Sequence, residues 1–149
     1  MNKQRRIVAT IEARMTSRRL PGKVLMEAAG KPMLEHMVER LRRVPSLGDV
    51  VIATTSNATD DHIEELALRL GIGCFRGSEN DVLARVLGAA RAYDIDVIVQ
   101  TTGDCPLIDP NIVDDAIGLL VSADVDYVNN ITPPTFPDGM DVEVFTFEA

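Results

Sequence analysis

Residues 14–23 read Arg-Met-Thr-Ser-Arg-Arg-Leu-Pro-Gly-Lys and carry four cations and no acid. Guanidinium and ammonium groups neutralise an oxyanion, while small hydroxyl residues and Gly22 let the backbone wrap closely round it. Such a segment either cradles a polyphosphate or is a solvated basic loop. It is not a P-loop, because no GxxxxGK[ST] can be written here and Val24 follows Lys23. The glycines of Gly71-Ile72-Gly73-Cys74-Phe75-Arg76-Gly77 do not form a dinucleotide fingerprint either, since GxGxxG fails at its third glycine.

A second segment, Thr102-Gly103-Asp104-Cys105-Pro106-Leu107-Ile108-Asp109, follows an apolar run. A carboxylate placed straight after a central strand is a common holder of Mg²⁺, which takes its remaining ligands from water and substrate phosphates. Asp104 is the candidate; Asp109, directly before Pro110, is better explained as a helix N-cap. A third segment alternates Asp138, Asp141 and Glu143 around Gly139. It reads equally as an acidic turn or as the wall of a substrate pocket. Arg76-Gly77-Ser78 is a further polar edge. Cys74 and Cys105 have no His near them in sequence and read as small apolar fillers, while His36 and His62 read as exposed or capping side chains on helices.

The elements that must position these residues follow from hydrophobic periodicity. Short apolar runs rich in β-branched residues at 7–11, 50–54 and 97–101 read as strands, and Cys74-Phe75-Arg76 reads as a further short one. Between them, Leu34, Met37, Val38 and Leu41 fall on one helical face behind Pro32. Ile63, Leu66, Ala67 and Leu70 fall on another, with Thr59 or Asp60 as cap and Gly71 as the stop. A third helix opens at Asn80 or Asp81 and carries Val82, Leu83, Val86, Leu87 and Ala90; a fourth, from Asp109, carries Ile112, Val113, Ala116, Ile117 and Leu120. The alternation predicts an α/β fold, a mostly parallel sheet with helices on both faces. Ligands of such sheets bind outside the carboxyl ends of the strands, where the first two segments lie. Beyond Tyr127 the pattern changes to short strands at residues 127–129 and 142–145 around a Pro-rich loop, so residues 1–122 read as the core and 123–149 as the incomplete start of a further part.

Composition bounds the function. The 149 residues are 46% hydrophobic and 26% charged, an ordinary single domain. The net charge of −8 divides into +7 over residues 1–43 and −15 over the rest, which argues against a broad nucleic-acid face and for a local anion site. No apolar run approaches a membrane span, no leader is read in Met1-Asn2-Lys3-Gln4, and two cysteines outside any CxxC suit a reducing cytosol. The expectation is a soluble cytoplasmic domain.

Together these stretches resemble the cytidylyltransferase family that makes CMP-activated sugars. The nearest branch is the spore-coat polysaccharide protein F (SpsF)-like proteins, related to the CMP-KDO and CMP-acylneuraminate synthetases. The resemblance rests on Ile11-Glu12-Ala13-Arg14-Met15, Leu20-Pro21-Gly22-Lys23-Val24-Leu25 and Lys31-Pro32-Met33-Leu34. It continues over residues 75–85, 102–110 and 138–145. It implies a Rossmann-like nucleotidyltransferase fold and transfer of CMP from CTP to a sugar, with release of pyrophosphate, in surface polysaccharide biosynthesis. By the same resemblance Arg14, Lys23 and Asp104 are catalytic, and Asp104 ligates Mg²⁺. Ala13, Ser17, Arg19, Gly22, Arg76, Ser78, Asp81, Gln100 and Thr102 join Arg14 and Lys23 in holding the nucleotide, and Asp138, Asp141 and Glu143 face the sugar. The implied partners are CTP, an acidic eight- or nine-carbon sugar and a second copy in a homodimer, with neither nucleic acid nor membrane. Other readings are a UTP- or GTP-using enzyme on the same scaffold and a non-catalytic nucleotide-binding fragment.

Three departures stand out. Arg18 occupies a position where the family has a small Ser or Thr, and Gln100 replaces a basic residue of the nearest branch. Nothing after Phe145 matches the family's later Asp-Thr-Pro-Glu-Asp-like segment, whose first Asp is a second metal carboxylate. Metal binding would then rest on Asp104 alone, with weak activity or none, and the natural protein is expected to continue beyond Ala149.

Overall fold

The computed structural model describes residues 5–149; residues 1–4, on which the absence of a leader is read, lie outside the described part. The β-branched run becomes strand β1 (Ile7–Glu12), buried along its middle on both faces. Its neighbours are β4 (Asp49–Thr55) and β6 (Val97–Thr102), both parallel to it. Beyond β4 lies β5 (Gly73–Gly77), also parallel. A two-residue hairpin, β2 (Glu27–Ala28) with β3 (Lys31–Pro32), stands apart from the sheet and has no counterpart in the periodicity.

The sheet order is β5-β4-β1-β6-β8-β7, with β7 (Tyr127–Asn129) and β8 (Glu143–Thr146) at one edge. Strand β8 returns antiparallel between β6 and β7, so strands from the segment after residue 122 join this sheet. The expected mostly parallel α/β architecture is what forms.

Helices α1 (Met33–Leu41), α2 (Asp61–Leu70) and α4 (Pro110–Ala123) pack on one face. There Leu34, Met37, Ile63, Val113 and Ile117 meet Ala9, Ile11, Ile52 and Val99 in one buried cluster. Helix α3 (Val82–Ala92) covers the other face, setting Val86, Ala89 and Ala90 against Val8, Val51, Ala53 and Ile98. This division follows from chain direction. The walk β1 to β4 to β5 goes one way across the sheet, and the return to β6 passes to the opposite side of β1. Right-handed crossovers therefore put α1 and α2 on one face and α3 on the other. The loops after β1 and β6 diverge at this reversal and open a crevice.

Three local expectations change. Leu83, read as part of the buried stripe of α3, is exposed, while the charged Arg85 takes a buried place on it. Val82 is also exposed at the mouth of the crevice. At α2, Asp60 sits at the N-cap position but makes no cap bond; its carboxylate turns inward instead. At α3 and α4 the caps form as expected, Asp81 accepting from the Ala84 amide at 2.9 Å and Asp109 from that of Asn111 at 2.8 Å. No described helix is long and apolar enough to cross a membrane.

Candidate functional site

At the end of β1 the chain enters the basic loop, which is held from inside. The buried Asp60 carboxylate accepts the Met15 amide at 2.8 Å, the Thr54 hydroxyl at 3.1 Å, the Thr55 amide at 3.2 Å and the Thr55 hydroxyl. One acid thus ties the start of the loop to the end of β4. Gly22 closes the loop, its amide donating to the Met15 carbonyl at 2.9 Å with φ of 72°, a left-handed conformation that favours glycine. A second tether is Glu79, which accepts from Thr16 and from Asn57 Nδ2 at 2.8 Å and pairs with Arg14 at 3.5 Å. The Thr16 and Asn57 bonds hold Glu79 below the ordinary carboxylate range.

The loop after β6 meets the first one closely. The Gly103 amide donates to the Glu12 carbonyl at 2.8 Å. A Cβ at Gly103 would lie 2.9 Å from that oxygen and 3.0 Å from the Ala13 Cβ, so only glycine allows this approach. Beyond it, Lys23 Nζ and Asp104 Oδ2 pair at 2.5 Å, and the ammonium holds Asp104 below the usual range.

Between the loops lies a cavity of about 880 Å³. Arg14, Arg18, Arg19 and Lys23 line it from the first loop, and Thr102 and Asp104 from the second. Asp138 and Asp141 come from the turn before β8, and Arg85 from α3. Of the residues singled out in the sequence, Ala13, Arg14, Ser17, Arg19, Lys23, Thr102, Asp104, Asp138 and Asp141 come together here.

The others sit elsewhere. Gly22 shapes the loop from behind. Arg76 is engaged by Asp61 at 2.7 Å, Glu64 at 2.9 Å and the carbonyls of Thr55 and Asn57. Ser78 and Asp81 spend their polar groups on the start of α3. Gln100 stands mid-strand opposite Thr10 and Glu143, and Glu143 accepts the Tyr127 phenol. Burial raises the Cys74 thiol to about 11 and pushes that of Cys105 up as well, so both remain protonated packing groups.

Two cavity residues, Glu12 and Arg85, lie in stretches that carry the resemblance, which implies no role for either. Burial raises the Glu12 carboxyl to about 7, against the pull of Arg85 and with a push from Glu143. The readable signal was a charged residue on an otherwise apolar stripe, Arg85 one place before Val86 and four before Ala89.

Among the described residues no three His, Cys, Asp or Glu side chains form a metal-holding group. Asp104 lines the cavity as a single carboxylate, the kind of oxygen donor that a hard cation takes together with phosphates and water.

Comparison with known proteins matches residues 8–144 to the family described as cytidylyltransferase. A cytidylyltransferase structure from Leptospira borgpetersenii serovar Hardjo-bovis superposes with a TM-score of 0.93 at 41% identity, covering 97% of this chain and 62% of that one. The spore coat polysaccharide biosynthesis protein SpsF of Bacillus subtilis is 36% identical over 86% of this chain and 55% of its own length. The 3-deoxy-manno-octulosonate cytidylyltransferase of Geobacter metallireducens is 38% identical over 78% of this chain and 45% of its own. The chain thus spans about half the length of these two curated relatives.

Proposed function

This chain belongs to the cytidylyltransferase family, and from that premise we propose that it binds CTP in the cavity between the β1 and β6 loops, as part of an enzyme that transfers CMP to a sugar and releases pyrophosphate. The observation that carries the reading is the cavity wall, with four cations on one loop facing Asp104 on the other. The sugar oxygen attacks the α-phosphorus, the bond from that phosphorus to the pyrophosphate oxygen breaks, and the hydroxyl proton is released. Negative charge grows on the leaving pyrophosphate, where Arg14, Arg19 and Lys23 of the cavity lining would receive it. Asp60 and Glu79 keep those cations in place through the loop they tether. Asp104 would hold Mg²⁺ together with the triphosphate; when bound, the ion neutralises phosphate charge. Asp138 and Asp141, toward β8, would accept hydroxyls of the sugar. The name of the Geobacter relative supports an acidic eight-carbon sugar as the acceptor class.

Calorimetry with CTP, UTP, GTP and ATP, each with and without Mg²⁺, tests the reading. Selective binding of CTP that Mg²⁺ strengthens is expected; no binding of any nucleotide would overturn it. In turnover, Lys23→Ala is expected to lower pyrophosphate release by about 10²-fold or more. Its thermal unfolding should stay near that of the parent, because the Lys23–Asp104 pair is part-exposed and such pairs add little to stability. Unchanged turnover would remove Lys23 from the machinery.

A further inference from the structure

Three buried side-chain atoms lack a hydrogen-bond partner among the described residues: Thr10 Oγ1, Glu12 Oε1 and Arg85 Nε. They are not scattered. Thr10 and Glu12 stand two apart on β1 and so share one face of the sheet, the face on which Val8 packs against α3. Arg85 comes from α3 and is only 3% exposed. Glu12 and Arg85 both reach the cavity wall. Native proteins leave few buried polar atoms unmatched, because an unmade bond there costs the full desolvation of the group. A carboxylate oxygen and a guanidinium N–H left over on two residues that line one cavity point to a group that enters it.

One end of the guanidinium is already committed. Its Nη1 donates to the Ser78 carbonyl at 2.6 Å, which anchors the side chain. Glu12 Oε1 can only accept when ionised, and Arg85 can only donate. Their coupling lifts the charged form of each, Arg85 drawing the Glu12 carboxyl down and Glu12 drawing Arg85 up.

The location narrows the ligand group. The cations line the cavity from the β1 loop, Asp138 and Asp141 from the turn before β8, and Arg85 from α3. The α3 side is left for the far end of the nucleotide. A planar edge that offers an amino donor next to a ring acceptor complements a carboxylate beside a guanidinium, and the 4-amino group and N3 of cytosine are such an edge. Uracil presents a carbonyl where cytosine has the amine, setting oxygen against carboxylate.

We propose that Glu12 and Arg85 read the base of the nucleotide, Glu12 accepting from the cytosine 4-amino group and Arg85 Nε donating to N3. The inference rests on the CTP reading above and names the residues that select C over U.

The test is the ratio of dissociation constants for UTP and CTP in the 149-residue chain and in Glu12→Gln. It is measured by calorimetry at about pH 8, above the Glu12 value of about 7. A glutamine amide can turn either its oxygen to an amine or its NH₂ to a carbonyl. The parent chain should therefore favour CTP by about tenfold or more, and Glu12→Gln should lose most of that preference, chiefly by gaining UTP affinity. Thermal unfolding of the variant serves as the folding control. Equal binding of CTP and UTP by the parent would overturn the inference while leaving nucleotide binding intact. So would a Glu12→Gln variant that keeps the parent's ratio, or that weakens both nucleotides alike as a purely structural role would. No nucleotide binding at all would overturn the CTP reading and this one with it.

Discussion

On the α1–α2–α4 face of the sheet, β1 contributes Ala9 and Ile11, both fully buried against apolar neighbours. On the α3 face it contributes Val8, then Thr10, then Glu12, so the same strand passes from apolar to hydroxyl to carboxylate as it nears the cavity. On the first face β1 brings no polar side chain, and the buried Thr54 hydroxyl of neighbouring β4 is satisfied by Asp60. The second keeps three unmatched polar atoms within one neighbourhood. The difference teaches where stability and function separate in this fold. One face is packed for cohesion along its length. The other is packed by Val8, Val51, Ala53 and Ile98 against α3, yet on β1 it carries unsatisfied groups where the ligand cavity begins.

That contrast can be broken or sharpened by experiment. The largest effect is expected on the cohesive face: Ile11→Ala should cost about 2–5 kcal/mol in urea unfolding, through lost transfer energy and the cavity left behind. A loss under 1 kcal/mol, read with ~0.3 kcal/mol error, would mean that this face is no better packed than the other. Next comes the tether beneath the basic loop. Asp60→Ala strands the Met15 and Thr55 amides and the two threonine hydroxyls, and should cost about 1–3 kcal/mol while weakening CTP binding. If the variant melts at the parent temperature, Asp60 does not hold the loop.

A third effect lies in pH dependence. The folded chain keeps the Glu12 proton up to about pH 7, while the unfolded chain releases it near 4.5. Between these values the folded state binds more protons, so the Glu12 contribution to stability is full below the unfolded value and falls as pH rises through the window. Glu12→Gln should flatten that part of the stability profile measured by denaturant melts. An identical slope in the variant would show that Glu12 is not the titrating group. The smallest effect is expected at Thr10→Val, which replaces an unmatched hydroxyl with a methyl of similar shape. It should leave stability within about 1 kcal/mol of the parent or raise it. A marked loss would show that the Thr10 hydroxyl has a partner after all.

Much of the fold was legible because periodicity reports it directly. The four parallel strands and four helices lie where alternation and the i, i+3, i+4 pattern put them, and Asp81 and Asp109 cap their helices as their types suggest. The basic loop and Asp104 were legible because their charges stand at the ends of apolar runs. The inward turn of Asp60 was not, since an acid before a helix reads as a cap unless a distant amide competes for it. The engagement of Arg76 was likewise hidden, because its partners Asp61 and Glu64 lie on a different element. The short β2–β3 hairpin is too brief to leave a period.

By itself the chain's order of residues determined the elements, their sequence along the fold and the segments that carry charge to the strand ends. Those are local properties, decided by spacing and by the chemistry of single side chains. Only the tertiary structure decided which charges share a cavity. Lys23 meets Asp104 from 81 residues away, and Glu12 faces Arg85 because the chain reverses direction across the sheet and lays α3 over β1. Burial then turned an ordinary glutamate into a carboxyl that holds its proton to about pH 7. Desolvation depends on what surrounds a group in space, and neighbours in space are set by the crossovers of the chain rather than by its order.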